Sequence, residues 1–335
     1  MSRIFYCLLL ILVPASAYAV DVKPYIVNGS NADISDYPSF ASLFYRNGNT
    51  YSASAYCGAT MINSQYVLTA AHCIYADNNL MLYTVVAPQL EDESNFLSNQ
   101  QAKAQAFYYP DSYLDSELER WPNDIAIIKL ESPLAVSDYS SLLNTSVNNT
   151  FATNADYKAV GHGYIEDNTP GGTQLLETSL TYVNTTDCQA VFGSKISSSQ
   201  LCFDGPVPTG ATYKNATCSG DSGGPVYWST GGQYVQIGIT SFGPEPCGDA
   251  SVNVTSVFTD VYDYQSWISR VITGQETPKA YVETRNGVRV LINNDTGGSE
   301  STAPQSGGGG GGSLPLSTLI VLVLVAYSRA RLWVS

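Results

Sequence analysis

Cys218-Ser219-Gly220-Asp221-Ser222-Gly223-Gly224-Pro225 is the stretch on which the reading of this chain turns. A serine hydroxyl is a weak nucleophile, and it becomes reactive on a tight, exposed turn beside a base. Glycines on both sides let the backbone fold so that N–H groups can face a developing oxyanion. A plain Gly-rich hairpin turn would explain the glycines, but not what lies upstream. Thr69-Ala70-Ala71-His72-Cys73 offers a base, and Asn123-Asp124-Ile125-Ala126 offers a buried acid at the head of an apolar strand. Histidine, aspartate and serine in that chain order are one of the arrangements in which a catalytic triad occurs.

With those three motifs in that order, the chain resembles the chymotrypsin-like serine proteases of the trypsin family, from Ile26 to about Ile272. The resemblance implies an all-β fold: two packed six-stranded antiparallel β-barrels and a C-terminal helix, with the site in the crevice between the barrels. It implies that His72 is the general base, that Asp124 fixes its tautomer, and that Ser222 is the nucleophile. The N–H groups of Gly220 and Ser222 would form the oxyanion hole. Asp221 would pair with the α-ammonium of Ile26 once the chain is cut before Ile26-Val27-Asn28-Gly29. His72 is one of only two histidines, so few other bases are available. Asp111 and Asp115 lack the Ile125-to-Ile128 strand that would bury Asp124. His162, in Gly161-His162-Gly163, stands where the family has a structural tryptophan and is expected to pack beside the hole.

The composition agrees. The 24 Tyr and 28 Gly, with many Thr, Ser and Val, favour an all-β protein with many turns. A net charge of −14 argues against a nucleic-acid partner, which needs a basic face. Residues 1–19 read as a signal peptide, with Arg3, an apolar run and the small-x-small site Ala17-Tyr18-Ala19. Its removal takes Cys7 away and leaves an even set of cysteines for an oxidising compartment. Their spacing leaves many pairings open; the resemblance implies Cys57–Cys73, Cys188–Cys202 and Cys218–Cys247. Two histidines and paired cysteines imply no transition-metal site and no cofactor.

Substrate preference follows by register. Ala216, six residues before Ser222, takes the position that carries an acid in trypsin-like members, with Thr217 next. Ser241, Phe242, Gly243 and Ser256 map to the walls. A neutral base disfavours a buried cation and favours aromatic or large apolar side chains before the scissile bond. Asp249 flanks the pocket and is an alternative source of negative charge.

The ends carry the remaining expectations. Residues 20–25 form a short propeptide ending in Lys23-Pro24-Tyr25, so activation requires a cut at Tyr25–Ile26, made either by the enzyme itself, whose pocket should accept Tyr25, or by a separate chymotrypsin-like activator. The protease domain spans 26–272. A small extension, 273–296, holds a hairpin candidate with an Asn286-Gly287 turn. A Gly-rich linker, 297–313, is expected to be flexible, and 314–335 is an apolar tail closed by Arg329 and Arg331. That tail has three readings: a short spanning helix, a glycolipid-anchor signal, and a bacterial Gly-Gly sorting tail trimmed by an intramembrane protease. The third fits the terminal arginines best and implies a secreted or surface-associated monomer acting on proteins or peptides. Asn28 and Asn215, in glycosylation sequons beside the expected buried terminus and pocket, favour a source that does not glycosylate. The alternative function is a catalytically idle binding module on the same fold.

Overall fold

Alternation of side chains decides several strands. In Leu176–Val183, Leu176, Thr178 and Leu180 are buried while Ser179 and Thr181 face solvent, the period of a strand with one face on a core. Ala126–Leu130 is instead apolar throughout and buried on both faces except at Lys129. The computed structural model describes residues 26–140, 142, 155–164, 172–230, 233–294 and 299–302. The expected signal peptide, propeptide and apolar tail lie outside the described residues.

The N-terminal barrel comprises β1 (Phe40–Asn47), β2 (Cys57–Met61), β3 (Tyr66–Thr69), β4 (Thr84–Pro88), β5 (Ala102–Tyr108) and β6 (Ala126–Leu130). Its strands run β5-β4-β1-β2-β3-β6 around the barrel and close by pairing β5 with β6. The C-terminal barrel comprises β7 (Tyr157–Gly161), β8 (Leu176–Val183), β9 (Gln200–Asp204), β10 (Pro225–Thr230), β11 (Gln233–Phe242) and β12 (Ser256–Asp260). Its order is β8-β9-β12-β11-β10-β7, closed by β7 with β8. Closure leaves neither barrel with an open edge around its ring. The fold is two six-stranded antiparallel barrels, as the motifs imply.

Each barrel has an aromatic core. Phe44 stacks on Phe96 in the first, and Phe203 meets Tyr157 and Phe258 edge-on in the second. Tyr37, Phe40, Val160, Leu175 and Tyr227 form a further buried cluster with residues from both barrels. Among the described residues three α-helices accompany the barrels: α1 (Asn78–Tyr83), α2 (Thr185–Phe192) and α3 (Gln265–Ile272). Asp77 and Asn184 cap the first two by accepting from Leu80 N and Asp187 N. The expected C-terminal helix is preceded by a 3₁₀ turn, Val261–Tyr264, which Asp260 caps by accepting from Tyr262 N.

The chain then adds to the N-terminal barrel. β13 (Ala280–Arg285) and β14 (Val288–Asn293) form a hairpin. Its two loop residues, Asn286 and Gly287, both have positive φ, the type I′ geometry that matches strand twist. A lone hairpin is marginal, and this one docks. Ala280 and Tyr281 pair with Phe107 and Ala106 of β5, past the point where β5 leaves β4. Val282, Val290, Leu291 and Ile292 are buried. The expected linker begins later than its composition suggests. Ser299–Thr302 form β15, which pairs with β14, because the outer edge of the hairpin presents unpaired N–H and C=O groups.

Candidate active site

The acid is placed from three directions. Asp124 immediately precedes β6 and is fully buried. One carboxylate oxygen accepts from the His72 backbone N–H at 3.0 Å, and the other faces His72 Nδ1 at 2.8 Å. Ser241 Oγ donates to that second oxygen at 2.5 Å. Thr259 Oγ1 donates to the Asp124 carbonyl at 2.7 Å. The contact at Nδ1 leaves Nε2 as the basic nitrogen of a neutral imidazole. Burial pulls the His72 pKa down, but the charge and hydrogen bond of Asp124 outweigh it and the net shift is upward from 6.5.

His72 sits in a short 3₁₀ turn, Ala71–Cys73, at the end of β3, stapled to β2 by the Cys57–Cys73 disulfide. The Ser222 turn is fixed to the same strands. Gly58 N donates to Ser222 O at 2.8 Å, and a Cβ on Gly223 would strike Thr69 Oγ1 and Gly58 O. The Ser222 hydroxyl makes no hydrogen bond among the described residues, with His72 or any other group. Such bonds are often long in ligand-free sites. Gly220 has φ +98°, and a Cβ there would lie 2.9 Å from Gly163 Cα. The N–H groups of Gly220 and Ser222 have no acceptor among the described residues, although Asp221 N, Gly223 N and Gly224 N, in the same turn, are all bonded. Two idle donors flanking the nucleophile are what an oxyanion requires.

Asp221 is fully buried in a cradle made by Gly161-His162-Gly163. A Cβ on either glycine would fall within 2.5 Å of its carboxyl group. Its oxygens accept from Gly163 N at 2.8 Å and Cys218 N at 2.9 Å. Desolvation still raises its pKa to about 7. Ile26, also fully buried, donates its peptide N–H to Gly163 O at 3.3 Å. In this uncut chain Gly163 therefore stands between the two residues of the expected activation pair, which make no ion pair. Ile26 has φ +57°, a strained value for a β-branched residue. His162 packs against the Phe40 ring, and burial pushes its pKa down to about 4.

The cavity beside Ser222 has a volume of about 320 Å³. Thr217, Ser241, Phe242 and Gly243 line it, as the sequence register places them, together with Ser219 and Pro244. Two expected positions lie behind this lining. Ala216 and Ser256 do not line the cavity; both are fully buried. Ala216 bridges Val27, and Ser256 Oγ receives Thr217 N and Thr217 Oγ1, each at 3.0 Å. Of that pair only Thr217 reaches the cavity wall, with Ser256 buried behind it. Asp249 is also absent from the lining: its carboxylate accepts from Ser251 N. The acid that does line the cavity is the exposed Glu245, which the sequence register did not single out. Phe242 packs against Trp121 and Phe192.

All six cysteines of the domain are paired: Cys57–Cys73, Cys188–Cys202 and Cys218–Cys247. Cys57, His72 and Cys73 lie close enough to suggest a metal cluster, but their sulfurs are bonded to each other. Asp111 and Asp115 are engaged elsewhere, the first with Lys279 and the second with Tyr113 and Trp121. Among the described residues no helix is long and apolar enough to cross a membrane.

Comparison with known proteins gives one answer. The Trypsin family model matches residues 26–268. Alkaline trypsin C of Manduca sexta is 32% identical over 275 residues, covering 80% of this chain and 98% of the relative. Chymotrypsin-like elastase family member 1 of Felis catus is 29% identical over 254 residues, covering 74% and 89%. CLIP domain-containing serine protease B4 of Anopheles gambiae is 28% identical over 269 residues, covering 74% and 71%. With closed twin barrels, three disulfides and a family match running from Ile26 almost to the end of α3, the chain belongs to the trypsin family of serine endopeptidases.

Proposed function

We propose that the chain hydrolyses peptide bonds through an acyl-enzyme formed on Ser222. His72 takes the Ser222 proton and returns it to the leaving amine, Asp124 holds the imidazole, and the N–H groups of Gly220 and Ser222 receive the oxyanion. The observation that carries this reading is the fully buried Asp124 carboxylate on His72 Nδ1, with an unbonded Ser222 hydroxyl on the wall of the adjoining cavity. The idle binding module is disfavoured because no member of the constellation is missing.

The cavity accepts aromatic or large apolar side chains before the scissile bond. Phe242 and Pro244 supply apolar wall, Thr217 adds an uncharged hydroxyl held by Ser256 behind it, and the acid in the lining, Glu245, is exposed, so a buried ammonium or guanidinium would have no buried partner. The precursor is activated at Tyr25–Ile26, after which the new ammonium reaches past Gly163 to Asp221. The sequence of the tail supports export followed by retention at the cell surface or release.

Two measurements test the reading. A fluorophosphonate should label Ser222 in the mature enzyme and fail on Ser222→Ala. A scan of peptides varying the residue before the scissile bond should rank Tyr, Phe and Leu above Arg and Lys. Unlabelled but folded protein overturns the catalytic assignment, and a preference for Arg overturns only the pocket assignment.

A further inference from the structure

The extension brings a cation to a place that the barrel has already made basic. A cavity of about 360 Å³ lies on the N-terminal barrel, between the end of β1, the end of α1, the start of β5, and β14. Arg46, Lys103 and Arg289 line it, with Tyr83 and Gln101, and no carboxylate does. This is a chain with 29 acidic and 15 basic side chains, so a wall holding three cations and no acid is contrary to its average.

The three cations are not equivalent. Arg289 is fixed: Nε donates to Leu82 O at 3.2 Å, Nη2 to Ala104 O at 2.8 Å, and Nη1 to Glu131, which lies outside the lining. Arg46 gives Nη1 to Gln101 Oε1 at 2.6 Å, and its other donors have no acceptor among the described residues. Lys103 is exposed and has no partner among the described residues. The Tyr83 hydroxyl also makes no hydrogen bond among them, although its ring meets Tyr45 edge-on. The Gln101 oxygen is already taken by Arg46. Apart from the exposed Asn47 amide, the uncommitted polar side chains that line the cavity are therefore a guanidinium held in place by a side chain, an ammonium and a phenol.

We propose that this cavity binds a phosphate-type oxyanion. Cationic donors with no carboxylate beside them in the lining select a ligand with several acceptor oxygens, and a guanidinium beside an ammonium matches a phosphate group. The volume exceeds that of a bare ion and falls in the range of small-ligand sites, so the group arrives as an ester. A soluble phosphate monoester and the phosphate of a lipid head group share this chemistry. The cavity shares no lining residue with the one beside Ser222, so it is a site separate from catalysis.

The test uses the full chain carrying Ser222→Ala, to prevent self-digestion, at low ionic strength where charge interactions are least screened. Inorganic phosphate is titrated calorimetrically with chloride held constant. Saturable binding at one site is expected, weakened about tenfold in Lys103→Gln and in Arg46→Gln, the effect of losing one charge-assisted hydrogen bond. Lys103 is exposed, so its variant keeps the test valid if Arg46→Gln disturbs the Gln101 contact. Co-sedimentation with phosphatidylcholine vesicles containing phosphatidic acid distinguishes the sources. Binding that depends on Lys103 identifies a head group, and phosphate binding without vesicle binding identifies a soluble ester. No saturable phosphate binding, or an affinity in both variants equal to that of the parent Ser222→Ala chain, overturns the proposal.

Discussion

Ser241 combines two tasks that the sequence separates. By register it belongs to the pocket wall, and it does line the cavity. It also donates the third hydrogen bond to the Asp124 carboxylate. Ser241→Ala leaves that buried oxygen one donor short, so kcat/KM should fall roughly tenfold or more, the value of a hydrogen bond to a charged group; steady-state assay of an apolar peptide measures it. Asp124→Asn should reduce kcat by about 10⁴, the magnitude known for the same change in a related triad. The pH profile adds a sign. Catalysis needs neutral His72, and the charge of Asp124 raises its pKa above 6.5 against the pull of burial. The acid limb of the native enzyme's profile should therefore lie above the ordinary imidazole pKa of 6.5. In Asp124→Asn that upward pull is gone, and the acid limb should move to lower pH. His72, Asp124 and Ser222 were legible because each sits in a motif whose neighbours are constrained too. Glu245 was not, since a surface acid in a loop has no local pattern to announce which cavity it borders.

A β-bulge explains why the second task of Ser241 was hidden. The pairing of β11 with β12 slips between Thr240 and Phe242, so Ser241 is the extra residue and its side chain is re-aimed. Alternation in Gln233–Phe242 reads as a regular strand and gives no hint of the slip. The hairpin of β13 and β14 shows the same division. Its Asn286-Gly287 turn was legible, but the stretch of β5 that receives it was not, because an unpaired edge is a property of the assembled barrel. Leu291, fully buried in β14, tests the docking. Leu291→Ala should cost about 2–5 kcal/mol, seen as a lower denaturation midpoint. Peptide hydrolysis per folded molecule should be unchanged, since the hairpin contributes no residue to the cavity beside Ser222.

Across the whole molecule, three buried acids set the dependence of stability on pH. Desolvation raises Glu93, Asp221 and Asp260 each to about 7. A carboxyl with a raised folded pKa holds its proton more tightly when folded. Its contribution is complete below the ordinary carboxyl pKa and is lost as pH rises through about 7. His162, lowered to about 4, works the other way, while His72, whose pKa is raised, adds to the three acids. The uncut Ser222→Ala chain should therefore lose several degrees of melting temperature between pH 5 and pH 8. Asp221→Asn should flatten that slope, as should cleavage at Tyr25–Ile26 if an ammonium then meets Asp221. Calorimetry across that range decides it. The outer strands have a mechanical consequence. A pull on the chain beyond Thr302 loads β15 first, whose short antiparallel ladder to β14 opens one rung at a time, and then the hairpin itself. The closed barrels, which have no free strand end in that line of force, are loaded last. In that geometry, tension on the tail would strip strands that catalysis does not use before it reached those that hold His72 and Ser222.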